Sequence, residues 1–379
     1  MFAPAVTRML YQRVVKPLAF LCDPEWVHDA AVRVGVLLGA SRVARRVLTG
    51  LYAYQYPALE QTVAGIRFPN PIGLAAGFDK NAELLRVLPS IGFGFVEVGS
   101  VTAQPCAGNA RPRLWRLPDV RGLLVHYGLK NEGAQVIAER VRRQSCAIPV
   151  GVSIAKTNVP TCVSVEEGVA DYRASAALLR GIGEYVTVNI SCPNAYGGEP
   201  FSVPAHLEAL LTELDTLELS SPVFLKCSAD TTIEMMDAYI GIVRRHRVAG
   251  FILANLTKNY ARASFRAPEG MNELRGGVSG KLVEELSTCL IEHVYTATAG
   301  KYVIIGVGGV FSAEDAYEKI RAGASLVQLI TGMIYEGPQL MGEINAGLVR
   351  LLARDGFSSV AEAVGSGVRE RRRGAAPGA

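Results

Sequence analysis

The sequence predicts an α/β fold, a TIM (β/α)8 barrel with an N-terminal helical extension. Three observations predict it. Eight short apolar runs recur between residues 71 and 332, and segments of helical periodicity, such as 165–179 and 313–322, separate most of them. Strand–helix alternation implies a parallel sheet, and eight such units over about 280 residues suit a closed barrel better than an open sheet. The first 65 residues lack this alternation and read as helical throughout. The expected organisation is an extension over 1–65, a barrel over 66–355 and a basic, disordered tail over 356–379.

In the extension, Leu10, Val14, Leu18 and Leu21 share one helical stripe, and Val32, Val36 and Leu37 continue the apolar theme. Asp23 followed by Pro24 reads as an N-cap with proline at the first helical position. Arg13, Lys16, Arg42, Arg45 and Arg46 supply cations. Two readings fit: a helical cap packed on the barrel, or an amphipathic pair lying at a membrane surface.

The eight expected strands lie within 71–77, 95–100, 149–155, 185–191, 222–228, 250–256, 302–309 and 324–332. Extra residues at 101–147 and 191–205 are expected insertions on the face where such barrels carry out chemistry. After Val368 the tail holds glycine and arginine but no large apolar residue, the composition of a disordered end.

Composition narrows the function. The chain's 379 residues are 49% hydrophobic, enough for a sizeable core. Its 39 basic against 35 acidic residues leave a mild +4, which makes no case for a nucleic-acid partner. Seven scattered cysteines without a CxxC pair suit a reduced, cytoplasmic chain and neither a disulfide framework nor a metal site. No secretory signal is evident, and no apolar run reaches the roughly 18–20 residues needed to span a bilayer.

The strand ends carry the chemistry. The first ends in "AAGFDK", placing Lys80 at its rim. The fourth ends in "NISCPN", with Asn189, Cys192 and Asn194. The fifth ends at Lys226 and the sixth at Asn255. One polar residue at a strand end is usually a turn former. Two lysines and three asparagines at one rim indicate a shared active site, because a lysine in a barrel mouth needs an anionic or electron-rich partner. "GVGG" (306–309) after the seventh strand and Thr331-Gly332 after the eighth form the phosphate site. Glycines there let backbone N–H groups approach an anion, a recurring device after strands 7 and 8 of such barrels.

These pieces, in this order, resemble the dihydroorotate dehydrogenase family, FMN enzymes of pyrimidine synthesis. The resemblance spans about residues 22–350 and rests on "DPEWVH", "FPNPIGLAAGFDKNAE", "GFGFVEVGSVT", "NARPRLWRL", "NISCPN", "GGVSGK", "IIGVGG" and "GASLVQLITG". The helical extension and "PRLWRL" are similar to the membrane-associated, quinone-using branch. By that resemblance the extension forms an apolar funnel for the quinone, which His28 and Arg116 contact, and the protein is cytoplasmic, with peripheral association at the inner membrane face. The resemblance also implies that Ala76, Gly77, Lys80, Ser100, Ser153, Asn189 and Lys226 contact FMN, with Lys226 stabilising its reduced form. Gly277, Gly308, Gly309, Thr331 and Gly332 line its ribityl and phosphate. Lys80, Asn189, Asn194, Asn255, His126 and Tyr127 hold the substrate. Cys192 occupies the position of the base that removes a proton beside a carbonyl while hydride leaves the neighbouring carbon for the flavin. A thiol's ordinary pKa near ~8.5, lowered by adjacent cations, would suit that task.

The sequence departs from the family in several places. Cys192 stands where the quinone branch carries Ser. Val125 and His126 replace an Asn-Arg pair, Ser153 an Asn, Ala254 and Leu256 two threonines, and Ile330 a Tyr. Such changes suit an enzyme that kept its flavin chemistry and changed or relaxed its substrate, such as a relative in specialised metabolism. A non-catalytic barrel scaffold would purify colourless. A flavin barrel reducing tRNA uridine would need a basic RNA-binding appendage, and Arg369–Arg373 is the only strongly basic run.

Overall fold

The computed structural model describes residues 4–192, 194, 196–262 and 275–375. Pro193, within "NISCPN", lies outside the described residues. Strands Ile72–Leu74, Phe95–Val101, Val150–Ile154, Tyr185–Asn189, Val223–Lys226, Gly250–Leu253, Val303–Val307 and Leu326–Leu329 close into one barrel. Neighbours follow chain order and every pair is parallel; Val327 opposite Ile72 joins the last strand to the first. Seven of the eight strands fall inside the apolar runs that predicted them, and Phe95–Val101 extends one residue past its run.

Helices wrap the outside because their starts are well capped and their inner faces are apolar. Ser164 and Glu167 form a reciprocal capping box at Val165–Leu178, while Thr232 and Ser312 cap Ile233–Val243 and Ala313–Ala322. Between the first two strands there is no α-helix, only the short 3₁₀ turn Leu88–Ile91.

The strands are buried on both faces. Inside the barrel, Phe95, Tyr185, Phe224, Ile252, Ile305 and Leu326 form an apolar layer at the N-terminal end. A larger core fills the space between strands and helices.

The N-terminal extension is helical, as expected. Helix runs from Pro4 to Phe20 with a wider π-type turn over Tyr11–Val15, then Pro24–Ala40 and Arg42–Tyr52 follow. Asp23 caps the second of these, accepting from Trp26 N at 2.8 Å, with Pro24 at the first helical position. Polar clasps hold the extension to the barrel. Tyr11 Oη donates to Ile334 O at 2.7 Å, and Gln12 Nε2 to Tyr335 O at 2.8 Å. Buried Glu25 accepts from Arg113 Nη2 at 2.8 Å and Arg111 Nη2 at 2.9 Å. Among the described residues no helix is long and apolar enough to cross a membrane.

Two small sheets were not anticipated. Gln61–Val63 and Ile66–Phe68 form a hairpin. Leu114–Leu117, Gly122–Val125 and Gly277–Gly280 form an antiparallel sheet from the loops after the second and sixth barrel strands. The expectation of a disordered tail is corrected: Ser366–Ala375 is helical. Its charges find partners on neighbouring helices. Arg371 pairs with Glu292 at 2.7 Å, Glu370 pairs with Arg321, Arg369 donates to Tyr295 Oη at 2.9 Å, and Val368 is buried.

Candidate active site

One deep cavity opens at the C-terminal mouth of the barrel, with about 1300 Å³ of empty space including its open entrance. Seven of the eight barrel strands deliver residues at or just beyond their C-terminal ends there; Val150–Ile154 does not. Lys80, Asn189, Asn194, Lys226 and Asn255 all line it, and so do Cys192, Ser100 and Tyr127. Ala76 and Gly77 border it from the first strand, and Gly308, Gly309, Thr331 and Gly332 from the last two. His28 reaches it from the extension.

Four expected ligand contacts are not on this wall. Ser153 is buried behind it, and its Oγ lies 2.8 Å from Ser100 Oγ, so it braces a wall residue instead. Gly277 is spent pairing with Val125 in the antiparallel sheet, and Ser279 and Gly280 line the cavity in its place. His126 stands behind Asn194, with Nδ1 3.3 Å from Asn194 Oδ1 and Nε2 3.2 Å from Asn109 Nδ2. Arg116 lies over the Phe20 ring at 4.7 Å and donates to Cys22 O at 2.8 Å, which ties the extension to the "PRLWRL" strand.

The asparagines are cross-braced. Asn189 Nδ2 donates to Ser100 Oγ at 2.8 Å, while Asn189 Oδ1 accepts from Ser191 N at 3.2 Å and Ser191 Oγ at 3.1 Å. Asn255 Nδ2 donates to Ser191 O at 2.9 Å, and Asn194 Nδ2 to Val125 O at 3.0 Å. These bonds fix the amide planes before any ligand arrives, which lowers the ordering cost of binding.

The titratable groups respond chiefly to burial. Lys80, surrounded by protein and beside Lys130, is lowered to about 8. Its Nζ sits 4.1 Å over the Tyr127 ring. Lys226 Nζ lies 3.6 Å from Glu97 Oε1, with both side chains buried. The expectation for Cys192 is corrected. Burial pushes its thiol up to about 11, and Lys258 offsets only part of that. Desolvation of the thiolate outweighs the Asn194 backbone N–H and Lys258, which favour it.

One end of the cavity is bare backbone. At Gly309 (φ +74°) a Cβ would fall 2.3 Å from Glu284 Cβ, and at Gly332 one would fall 2.0 Å from Val310 O. Only glycine fits at either position, and the main chain is left open to an anion. The Lys226 ammonium, Leu329 and Ile330 line the same cavity. That combination fits a long ligand with an anionic end and a flat ring that takes up negative charge. Sequence reasoning missed the apolar wall residues Leu114, Leu123 and Val283, which sit in short segments without a periodic signature.

The family model for dihydroorotate dehydrogenase matches residues 58–352. The chain is 39% identical to a dihydroorotate dehydrogenase (quinone) of Synechococcus sp. strain JA-3-3Ab over 374 residues, 96% of this chain and 98% of that one. It is 41% identical to a protein of the same name from Haloarcula marismortui over 353 residues, 93% of this chain and 98% of that one. Among solved structures, DHODH from Eimeria tenella in complex with ferulenol superposes with a TM-score of 0.80 at 27% identity, covering 96% of this chain and 99% of that one. With a barrel mouth of this composition and matches that run nearly end to end, the chain belongs to the dihydroorotate dehydrogenase family.

Proposed function

We propose that this protein is a flavin-dependent dehydrogenase that oxidises dihydroorotate to orotate, passes the electrons to a quinone and uses FMN as its flavin. The observation that carries the reading is the meeting of Lys80, Lys226, Cys192 and three asparagines with a glycine-walled end in one cavity. The bound flavin supplies a hydride acceptor. The bare backbone at Gly308, Gly309 and Gly332, with Thr331, would hold its phosphate, and Lys226 and Ser100 would meet its ring.

The remaining residues act on the substrate. Lys80 pairs with the carboxylate. Asn189, Asn194 and Asn255 hydrogen-bond the ring, with His126 steadying Asn194. Cys192 Sγ takes the acidic proton beside the ring carbonyl. A thiol pushed up to about 11 is rarely ionised at neutral pH, but its thiolate is correspondingly basic. Val125 and Leu256 line the same cavity. They support a second reading in which the preferred substrate carries fewer polar groups than dihydroorotate.

The quinone would enter where the extension meets the cavity, beside His28. Leu18, Leu21 and Leu37 are 62%, 85% and 72% exposed. These apolar side chains, with Arg13, Lys16 and Arg42 nearby in sequence, support peripheral attachment of a cytoplasmic protein to the inner membrane face.

Steady-state turnover with dihydroorotate and a soluble quinone tests the function. Saturable turnover is expected. A flavin-loaded protein inert toward dihydroorotate but active on a less polar relative would favour the second reading.

A further inference from the structure

We propose that Glu97 is a positioning residue for Lys226, setting the charge beneath the cavity floor and hence how readily the bound flavin accepts electrons. The inference rests on the flavin reading above.

Strand alternation builds the barrel interior in layers. Two residues beyond Phe95, Tyr185, Phe224 and Leu326 of the apolar layer stand Glu97, Thr187, Lys226 and Gln328. Two further on, Gly99, Asn189 and Ile330 line the cavity. A buried polar layer therefore lies directly under the site.

Glu97 carries the layer's negative charge at zero exposure. Its Oε2 accepts from Gln328 Nε2 at 2.9 Å, Thr187 Oγ1 at 3.2 Å and Tyr185 Oη at 3.3 Å. Its Oε1 has no hydrogen-bond partner and faces Lys226 Nζ at 3.6 Å. A carboxylate so placed is costly unless a cation offsets it. The separation makes an ion pair without a hydrogen bond, so the Lys226 N–H groups remain available to the cavity. Reduction of a ligand beside Lys226 adds negative charge there. The ammonium favours that charge and the carboxylate behind it opposes it, in surroundings that screen neither well.

The test is the midpoint potential of the flavin in the holoenzyme, titrated spectrophotometrically against reference dyes. Glu97→Gln keeps the shape and removes the charge. It is expected to shift the reduction equilibrium at least tenfold toward the reduced form, about 30 mV for a two-electron couple. Gln328→Leu strips a donor from Oε2, leaves the carboxylate less neutralised and is expected to shift the equilibrium the other way. Glu97→Asp keeps the charge and should stay within threefold. Opposite signs separate this role from general damage to the barrel. Should Glu97→Gln not fold, the direction for Gln328→Leu decides. Flavin bound at an unchanged potential in Glu97→Gln and Gln328→Leu, or shifts of the same sign in the two, overturns the proposal. Wild-type protein that takes up no flavin overturns instead the reading on which the proposal rests.

Discussion

Lys80 Nζ lies 3.4 Å from His28 Nε2, so a barrel lysine and an extension histidine meet at the cavity. Burial, with Lys80 and Lys130 alongside, holds the imidazole down at about 3. It is therefore neutral at physiological pH and accepts from the ammonium, which has no acceptor of its own. The His28 ring also packs edge-on against Phe78 at 4.9 Å. The extension thus forms part of the wall where substrate and electron acceptor are proposed to come together.

This arrangement fixes a pH profile. The proposed reaction needs Cys192 as thiolate and Lys80 as ammonium, and their values near 11 and 8 are in inverted order. The competent form becomes more common as pH rises to about 8, stays level up to about 11 and declines beyond. Because kcat/KM reports the free enzyme, its logarithm for dihydroorotate should climb with a slope near one to about pH 8 and then flatten. A flat profile from about pH 6 to 8 would count against Cys192 as a base with a raised pKa.

Cys192→Ala addresses the same group directly. The thiol lines the cavity without holding its glycine-walled end. Flavin content should stay at the wild-type level, while reduction by substrate slows by about 10²–10⁴-fold, the usual contribution of a general base. Equal reduction rates would remove Cys192 from the mechanism.

Glu25 and Arg113 form a buried pair that clasps the extension to the barrel, and Arg111 adds a second donor. Burial alone would raise the Glu25 carboxyl, but the two guanidinium groups outweigh it and hold it at about 2. The unfolded chain titrates near ~4.3. The clasp is therefore whole above that pH and is lost as pH falls toward about 2. Glu25→Gln leaves Arg113 buried without its counter-charge and should cost roughly 3 kcal/mol at pH 7. Thermal unfolding and protease release of the extension check this, and the mutant's deficit should shrink toward about pH 3.

The exposed leucines of the extension give a separate outcome. Wild-type protein should co-sediment with anionic phospholipid vesicles. Leu18→Glu combined with Leu21→Glu and Leu37→Glu should stay in the supernatant, with flavin content unchanged. Equal partitioning of both would end the membrane reading.

The barrel was legible in the sequence because each strand is a short apolar run bounded by small or polar residues, as in "YVTVNIS" and "PVFLKCS". The cavity-lining lysines and asparagines were legible for the same reason, since they stand where those runs stop. The antiparallel sheet was not, because Gly122–Val125 finds Gly277–Gly280 across more than 150 residues and no local pattern records that pairing. His126 and Ser153 read as ligand contacts, yet each sits one layer back, a distinction only packing supplies. The thiol of Cys192 went the opposite way from its expected direction because burial, not nearby charge, dominates there. The tail helix was hidden because its arginines look solvent-bound until their partners on neighbouring helices are known. Glu97 did leave a trace, as the lone acid inside "FVEVGS".

As proposed above, this cavity moves electrons from dihydroorotate through a flavin to a quinone. Anaerobic mixing of the purified holoenzyme with dihydroorotate, followed by addition of a quinone, tests it most directly. The flavin absorbance near 450 nm should bleach on the first addition and return on the second. A flavin that stays oxidised with dihydroorotate, or that bleaches and is not restored by quinone, would contradict the account.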